Sequence, residues 1–415
     1  AGNGANTIKL ANGNSTVSAG DGNDRISSGT GNVQIDAGEG DNTLSLKAGG
    51  GTLSMGAGND RIRAGNGDYN IDAGDGGNTI ALRNGNSTVA AGIGNDRISL
   101  GDGNNHIDAG DGTNSITVGN GDSTLIAGSG DDRIKAGKGN ANIDAGDGKN
   151  TISIGDGNST VAAGSGDDRI TVGNGNTHID AGHGNNRITT RDGDKTVNTG
   201  GGNDNIATKS GNDTITSTGG DNTINVGNGT NSVTTGDGAD KIKSGRDADN
   251  LSSGGGNDVV TSGNGNDTIS GGAGNDKLDG GNDNDNIKGD AGDDHLIGGS
   301  GNDTLSGGDG TDVLLGGVGA DDFAFASATE TGDRIKDFSL RDGDQLDIVD
   351  LMTEWGTDVS SALSAGHLRL DTGLNGTSSW LVYDTDGVGG TAGHQIVHLD
   401  RIRTTTDLTE DWFVV

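Results

Sequence analysis

The sequence has no cysteine, no proline and only nine aromatic residues among its 415. Eight of those nine lie at or beyond Phe323, Tyr69 being the exception. The first three quarters of the chain therefore cannot hold a bulky, layered core and must use small aliphatics in a thin interior. Length alone allows two or three ordinary domains, but a composition with 85 glycines excludes them for most of the chain. The lack of cysteine fits a protein that crosses to the outside unfolded and does not depend on oxidation. Positive charge is scarce as well. Lys and Arg number 27 against 61 Asp and Glu, a formal charge of −34, which repels nucleic acid and anionic membranes and makes cations the natural partner. There is no apolar run of membrane-spanning length and no visible N-terminal signal peptide, so neither membrane insertion nor the usual secretory route is expected. The chain begins at Ala rather than Met, which points to a fragment or a processed product.

Such a glycine-rich, acidic and weakly hydrophobic chain ordinarily stays disordered, because too little apolar surface is available to offset chain entropy. Periodicity, combined with a ligand that neutralises the charge, is the way out. From Gly2 a nine-residue register runs without insertion or deletion to Phe325, giving 36 consecutive units. The third position is Gly in 34 of them, Asp247 and Asp283 being the exceptions. The seventh is Ile, Leu or Val throughout, except for Phe323 in the last unit. Glycine supplies the positive-φ turn, and one inward aliphatic between polar neighbours makes a short half-buried strand. A lone strand of this kind cannot cover its apolar side, so coils must stack. The expected fold is all-β, a parallel β-roll or β-solenoid with two nonapeptides per coil.

Between residues 254 and 317 the units read Gly-Asn-Gly-Asn-Asp-Thr-Ile-Ser-Gly (263–271), Gly-Ala-Gly-Asn-Asp-Lys-Leu-Asp-Gly (272–280) and Gly-Ser-Gly-Asn-Asp-Thr-Leu-Ser-Gly (299–307). These resemble the RTX, hemolysin-type nonapeptide repeat, which is a calcium-binding parallel β-helix. The resemblance implies multiple Ca2+ ions, with the fifth-position aspartates as side-chain ligands: Asp240, Asp249, Asp258, Asp267, Asp276, Asp285, Asp294, Asp303, Asp312 and Asp321. It further implies main-chain carbonyls of Gly263, Gly265, Gly272, Gly274, Gly299 and Gly301 as the remaining ligands. Hard divalent cations want many oxygens, and a turn with exposed carbonyls and a carboxylate supplies them. Aspartate also favours turns for its own sake, but turns do not require it in ten successive units.

The chain divides by composition into a divergent solenoid (1–235), the RTX-like roll (236–325) and a C-terminal cap (326–415). Before about residue 236 the ninth position is a side chain instead of Gly, so a second group points inward. There the fifth-position aspartate recurs in every fourth unit, at Asp24, Asp60, Asp96, Asp132, Asp168 and Asp204, followed by Asp213. Asparagine holds the fifth position midway between them, at Asn42, Asn78, Asn114, Asn150 and Asn186. An edge alternating Asp with Asn is expected to hold calcium through carboxylate and amide oxygens. The opposite edge, with Val33, Tyr69, Asn105, Ala141 and Thr177 against Gly51, Ser87, Ser123, Ser159 and Lys195, is expected to hold few ions or none. The same period puts Arg25, Arg61, Arg97, Arg133 and Arg169 on one face and Asp36, Asp72, Asp108, Asp144 and Asp180 on the other, a motive for lateral self-assembly.

Past Phe325, residues 328–340 and 342–351 resemble the type I secretion C-terminal target domain found at the ends of RTX proteins, including large adhesins. Strands are expected at 368–371, 379–383 and 395–399, with Trp355, Trp380 and Trp412 supplying core volume. The ending Glu410-Asp411-Trp412-Phe413-Val414-Val415 is similar to the acidic-then-hydrophobic ending of type I substrates and equally suits a closing edge strand. This resemblance implies the type I secretion machinery as a partner, and a secreted or cell-surface location in a Gram-negative bacterium.

No catalytic constellation is present. His394 and His398 lie on an ordinary strand pattern, no nucleophile elbow precedes a helix-like segment, and Gly200-Gly201-Gly202 leads into no phosphate-binding lysine. The sequence therefore points away from an enzyme. It favours a secreted calcium-binding structural or adhesive protein (an adhesin, matrix fibre or surface-layer component) that folds on meeting calcium outside the cell. Two alternatives stand beside it. One is the noncatalytic RTX tail of a secreted lipase, protease or epimerase. The other is an ice- or glycan-binding solenoid built on Thr52, Thr88, Thr124, Thr160 and Thr196, although these recur only in every second coil.

Overall fold

Each nonapeptide makes one short strand with alternating burial. In Arg61–Ala64, Ile62 and Ala64 face inward while Arg61 and Arg63 face solvent. Two nonapeptides, each a strand and a turn, complete one coil, and each strand pairs in parallel with the one a coil later, as Ile62 with Ile80 and Val89 with Ile107. The computed structural model describes residues 1–327, 330, 332–372, 378–384, 393–402 and 407–414. They fall into two units, Ala1–Lys209 and Ser210–Val415.

In Ala1–Lys209 one sheet runs from Thr7–Lys9 to Asn205–Ala207 and the other from Ser15–Ser18 to Lys195–Gly201, all neighbours parallel. The seventh-position aliphatics from Ile26 to Ile206 form the core, each almost fully buried. The ninth-position residues join them as expected: Ala19, Ala37, Met55, Leu100 and Val172 are all buried.

In Ser210–Val415 the parallel pattern continues through strands such as Lys277–Asn282, paired with His295–Ser300, and Asn286–Ala291, paired with Thr304–Asp309. Ser244, Ser253 and Ser262 still hold the ninth position with buried side chains, so the all-glycine pattern begins only at Gly271. The third position is where glycine is indispensable. Gly274 has φ of 127°, and a Cβ there would collide with the carbonyl oxygen of Gly256. The two exceptions to glycine, Asp247 and Asp283, take the left-handed conformation at φ of 73° and 74°. Aspartate tolerates it better than most residues.

The cap closes both stacks. Asp333–Ile335 pairs with Val313–Val318, and Gln345–Asp347 pairs with Asp322–Ala324. Leu368–Thr372, Ser378–Tyr383 and His394–Asp400 form an antiparallel sheet over the three expected segments, the last strand also pairing in parallel with Asp333–Ile335. Two short helices not anticipated from the sequence lie within the cap, α1 (Val349–Glu354) and α2 (Val359–Ser364). Asp358 starts α2 by accepting from the Ser361 N–H at 2.8 Å. Of the three tryptophans only Trp412 is fully buried, stacked on Phe338 at 5.3 Å. Trp355 stacks on Tyr383 and Trp380 meets His398 edge-on. Phe413 bridges to Leu346, so Trp412 and Phe413 are folded into the cap. Ala328, Thr329, Thr331 and Val415, part of the target-domain resemblance, lie outside the described residues. Among the described residues no helix is long and apolar enough to cross a membrane.

Candidate metal centre

Because strands repeat once per coil, fifth-position side chains stack in two columns along the turns. In Ser210–Val415 one column contains Asp240, Asp258, Asp276, Asp294 and Asp312, and the other Asp249, Asp267, Asp285, Asp303 and Asp321, none more than 3% exposed. Each carboxylate accepts, through Oδ1, the backbone N–H of the residue one coil earlier: the Asp258 N–H donates to Asp276 at 2.8 Å, that of Asp285 to Asp303 at 2.8 Å, and that of Asp294 to Asp312 at 2.7 Å. The ladder continues into the cap out of register. The Asp312 N–H donates to Asp333 Oδ1 at 2.8 Å and the Asp321 N–H to Asp344 Oδ1 at 3.2 Å. Sequence reading missed these two, although Gly332-Asp333-Arg334-Ile335 and Gly343-Asp344-Gln345-Leu346 carry the repeat's own aspartate-to-aliphatic spacing.

The second oxygen is the telling one. Oδ2 of Asp276, Asp285, Asp294, Asp303, Asp312, Asp321 and Asp333 is buried without a hydrogen-bond donor; at Asp240, Asp249, Asp258 and Asp267 the nearby hydroxyls of Thr235, Ser244, Ser253 and Ser262 ease the carboxyl. Asp344 differs, its Oδ2 being satisfied by the Ser339 N–H at 2.7 Å. A buried carboxylate oxygen without a donor is costly unless a proton or a cation meets it. Burial accordingly pushes these carboxyls up: Asp285 to about 8, Asp294 to about 7, and Asp276, Asp312 and Asp321 to about 6. The ladder N–H groups pull the other way, and neighbouring carboxylates, Asp267, Asp303 and Asp283 around Asp285, add to the rise. Asp333 is pushed to about 8, again by burial first.

Carbonyl oxygens gather around these groups. A Cβ on the ninth-position Gly271 would collide with Asp276 Oδ2 and sit 2.8 Å from the Gly289 carbonyl oxygen; at Gly298 the corresponding pair is Asp303 Oδ2 and Gly316 O, the latter at 2.6 Å. Glycine at the ninth position thus leaves room where a carboxylate and the carbonyl of the following coil converge. The carbonyls of Gly263, Gly274, Gly299 and Gly301, expected as ligands, point at the turn of the next coil, where an added Cβ would collide with them. Gly265 and Gly272 sit in the same turns with the same positive φ. An all-oxygen set with no donor among it suits a hard divalent cation such as calcium. Among the described residues no three His, Cys, Asp or Glu side chains are placed to hold one ion between them, so a centre here would draw largely on main-chain oxygens. His398 instead contacts Asp400 and Ser378, and His394 stacks on Trp355.

In Ala1–Lys209 one column alternates Asp with Asn as expected: Asn42, Asp60, Asn78, Asp96, Asn114, Asp132, Asn150, Asp168 and Asn186 succeed one another, Asp24 preceding and Asp204 following. The Oδ1 ladder is unbroken, with the Asn42 N–H donating to Asp60 at 2.7 Å and the Asp60 N–H to Asn78 at 3.0 Å. Oδ2 of Asp24, Asp60, Asp96, Asp132 and Asp168 is again buried without a donor. Burial raises Asp60 and Asp96 to about 6 and Asp132 and Asp168 to about 7. The asparagines differ from expectation. Their amide oxygens serve the ladder, and it is the NH2 that faces the carbonyls: Asn78 Nδ2 donates to Gly74, Gly76 and Ala91 at 3.0, 3.2 and 3.0 Å. A backbone N–H only donates and a carbonyl only accepts, so the amide has one orientation that satisfies both.

The opposite column is carried by hydroxyls and an amide: the Tyr69 N–H donates to Ser87 Oγ at 3.3 Å, that of Ser87 to Asn105 at 3.1 Å, and that of Ala141 to Ser159 Oγ at 3.1 Å. Asp213, also expected as a ligand, belongs to the other unit, where it is buried.

The family model described as the RTX calcium-binding nonapeptide repeat (4 copies) matches the chain in overlapping blocks over 1–53 and 82–323. Among solved structures the chain is similar to the solution structure of the AlgE6R3 subunit from the Azotobacter vinelandii mannuronan C5-epimerase, at 32% identity over 35% of this chain and 80% of that one, with a TM-score of 0.27. The curated proteins contain no match.

Proposed function

The chain belongs to the RTX family of calcium-binding nonapeptide-repeat proteins, and from that premise we propose that it is a noncatalytic structural segment of a secreted protein, serving adhesion, a matrix fibre or a surface layer. The observation that carries this reading is the column of buried aspartate oxygens without donors, set among carbonyls of successive turns. Calcium, when bound, supplies the positive charge that lets these oxygens approach one another. Asp240 through Asp321, with Asp333 completing one column, would hold it together with the turn carbonyls of Gly263, Gly265, Gly272, Gly274, Gly299 and Gly301. In a cell interior with little free calcium the carboxylates keep the chain extended and exportable by the type I machinery. Outside, millimolar calcium brings the coils together. The buried Trp412 and Phe413 favour a cap that seals the last coil once export is complete. The tail of a secreted enzyme remains the alternative, since it draws on the same repeats.

A structural role gains support from the two faces of Ala1–Lys209. Lys9, Arg25, Arg61, Arg63, Arg97, Arg133, Lys135, Arg169 and Arg187 are exposed on one sheet without an acidic residue among them. Asp36, Asp72, Asp108, Asp144 and Asp180 are exposed on the other. Both the recurring arginines and these aspartates repeat every two coils, roughly 10 Å, so the sheet of one copy matches the opposite sheet of another in charge and in spacing. Exposed pairs are individually weak, and only a long array makes association measurable. In calcium and at about 10 mM ionic strength, where screening is long-ranged, light scattering is expected to show concentration-dependent oligomers that dissociate in high salt. A strict monomer under those conditions would remove the support for lateral assembly.

A further inference from the structure

Within Ala1–Lys209 the groups that face the turn carbonyls differ from turn to turn. At Asn6, Asn78, Asn114 and Asn150 the amide NH2 donates to three carbonyls: those of the first and third residues of its own unit and that of the ninth residue of the next unit. For Asn114 these are Gly110, Gly112 and Ala127 at 2.9, 3.3 and 3.0 Å, and for Asn150 they are Gly146, Gly148 and Ala163 at 3.0, 3.3 and 3.1 Å. At the aspartate turns the same place in the repeat is taken by Oδ2, which finds no donor. In the opposite column Lys195, 1% exposed, sends its ammonium into the turns. Its Nζ donates to the carbonyls of Gly175, Asp192 and Gly193 at 2.6, 3.0 and 2.7 Å.

We infer that the asparagine amides and the Lys195 ammonium are built-in substitutes for the cation, so that in this unit calcium enters one column only, at the turns of Asp24, Asp60, Asp96, Asp132 and Asp168. This rests on the calcium-binding reading above. An NH2 group with two partly positive hydrogens turns the carbonyls into satisfied acceptors and blocks a metal, which would have to break three hydrogen bonds and face the hydrogens. Lysine goes further and places a full positive charge among the carbonyls. The aspartate turn is the reverse: its buried Oδ2 finds no hydrogen-bond donor, and a cation or a proton resolves that. Alternation along the column means that half of its turns hold without metal. The unit is therefore less dependent on calcium than the uninterrupted aspartate columns from Asp240 to Asp321, which begin only after Asn222 and Asn231.

The test is the number of calcium ions per full-length chain, measured by elemental analysis after equilibration in calcium and removal of excess, together with melting in chelator. Asn78→Asp/Asn114→Asp/Asn150→Asp is expected to bind one additional ion per substitution and to melt lower in chelator. Asp60→Asn/Asp96→Asn/Asp132→Asn should lose one ion per substitution and melt higher in chelator, because the new amides supply the missing donors. The second variant decides the matter even if the first fails to fold. Unchanged ion counts in both, or a loss of folding in the asparagine-rich variant, would overturn the substitution idea while leaving calcium binding elsewhere intact. A wild-type chain that binds no calcium would instead defeat the underlying reading.

Discussion

Chelating calcium at neutral pH is expected to abolish the β-sheet circular dichroism of residues 210–325 and open them to protease, and returning millimolar calcium is expected to restore both. From Gly271 to Gly316 the ninth position of each repeat is glycine, so one aliphatic, such as Leu278, Ile287 or Leu296, is the whole apolar contribution of nine residues. That is too little burial to offset the ordering of nine residues. The columns meanwhile stack carboxylates one coil apart, and from Asp276 to Asp321 each keeps a buried oxygen without a hydrogen-bond donor. A ligand that binds only the folded state at one hundred times its dissociation constant adds about 2.7 kcal/mol per site. A handful of such sites is comparable with the usual net stability of a domain, about 5–15 kcal/mol. Removing them all leaves the coils of 210–325 without a net driving force. Ala1–Lys209, with a second inward side chain per repeat and asparagine in half of one column, is expected to lose less signal under the same conditions.

Acid should act in opposite directions with and without the metal. The carboxyls of Asp285, Asp294 and Asp333, raised to about 8, 7 and 8 chiefly by burial, bind protons more tightly in the folded chain than in the unfolded one, where the ordinary value is 3.8. Without calcium, that contribution to stability is complete below the unfolded value and is lost as pH rises through the folded values of about 7 to 8. In chelator the chain should therefore gain order on acidification from about pH 8 toward 4.5, with a melting midpoint rising by on the order of 10 °C. In calcium the slope reverses, because protons and the metal compete for the same oxygens, and the calcium needed for half-folding should increase as pH falls through this window. The groups facing Asp285 are Asp267, Asp303 and Asp283, all acidic, so none of them offers the carboxylate a compensating charge. Melting curves across pH, in chelator and in calcium, measure both slopes. Parallel slopes would show that these carboxyls are not where the cation acts.

The stacked coil was legible in the sequence because its cause is local and repeated: a glycine at the third position and an aliphatic at the seventh recur with no insertion through Phe325. Asp240 to Asp321 were legible for the same reason. Asp333 and Asp344 were not, because the cap inserts residues between one rung of the ladder and the next, and a fixed register steps over them. The role of asparagine was hidden for a different reason. Sequence tells that an amide stands beside a turn, but which end faces inward depends on a ladder N–H donated from the preceding coil. Helices α1 and α2 escaped notice because Leu351, Met352, Val359 and Ala362 bury one side of two segments too short to show a helical period.

The most direct measurement is anomalous diffraction from crystals grown with calcium, which locates each ion without reference to sequence. Peaks are expected between successive turns along both aspartate columns from Asp240 to Asp321, and along a single column of Ala1–Lys209 beside Asp24, Asp60, Asp96, Asp132 and Asp168. Turn columns free of metal in a folded chain at saturating calcium, or ions equally abundant beside the asparagines and on the serine-rich edge, would contradict it.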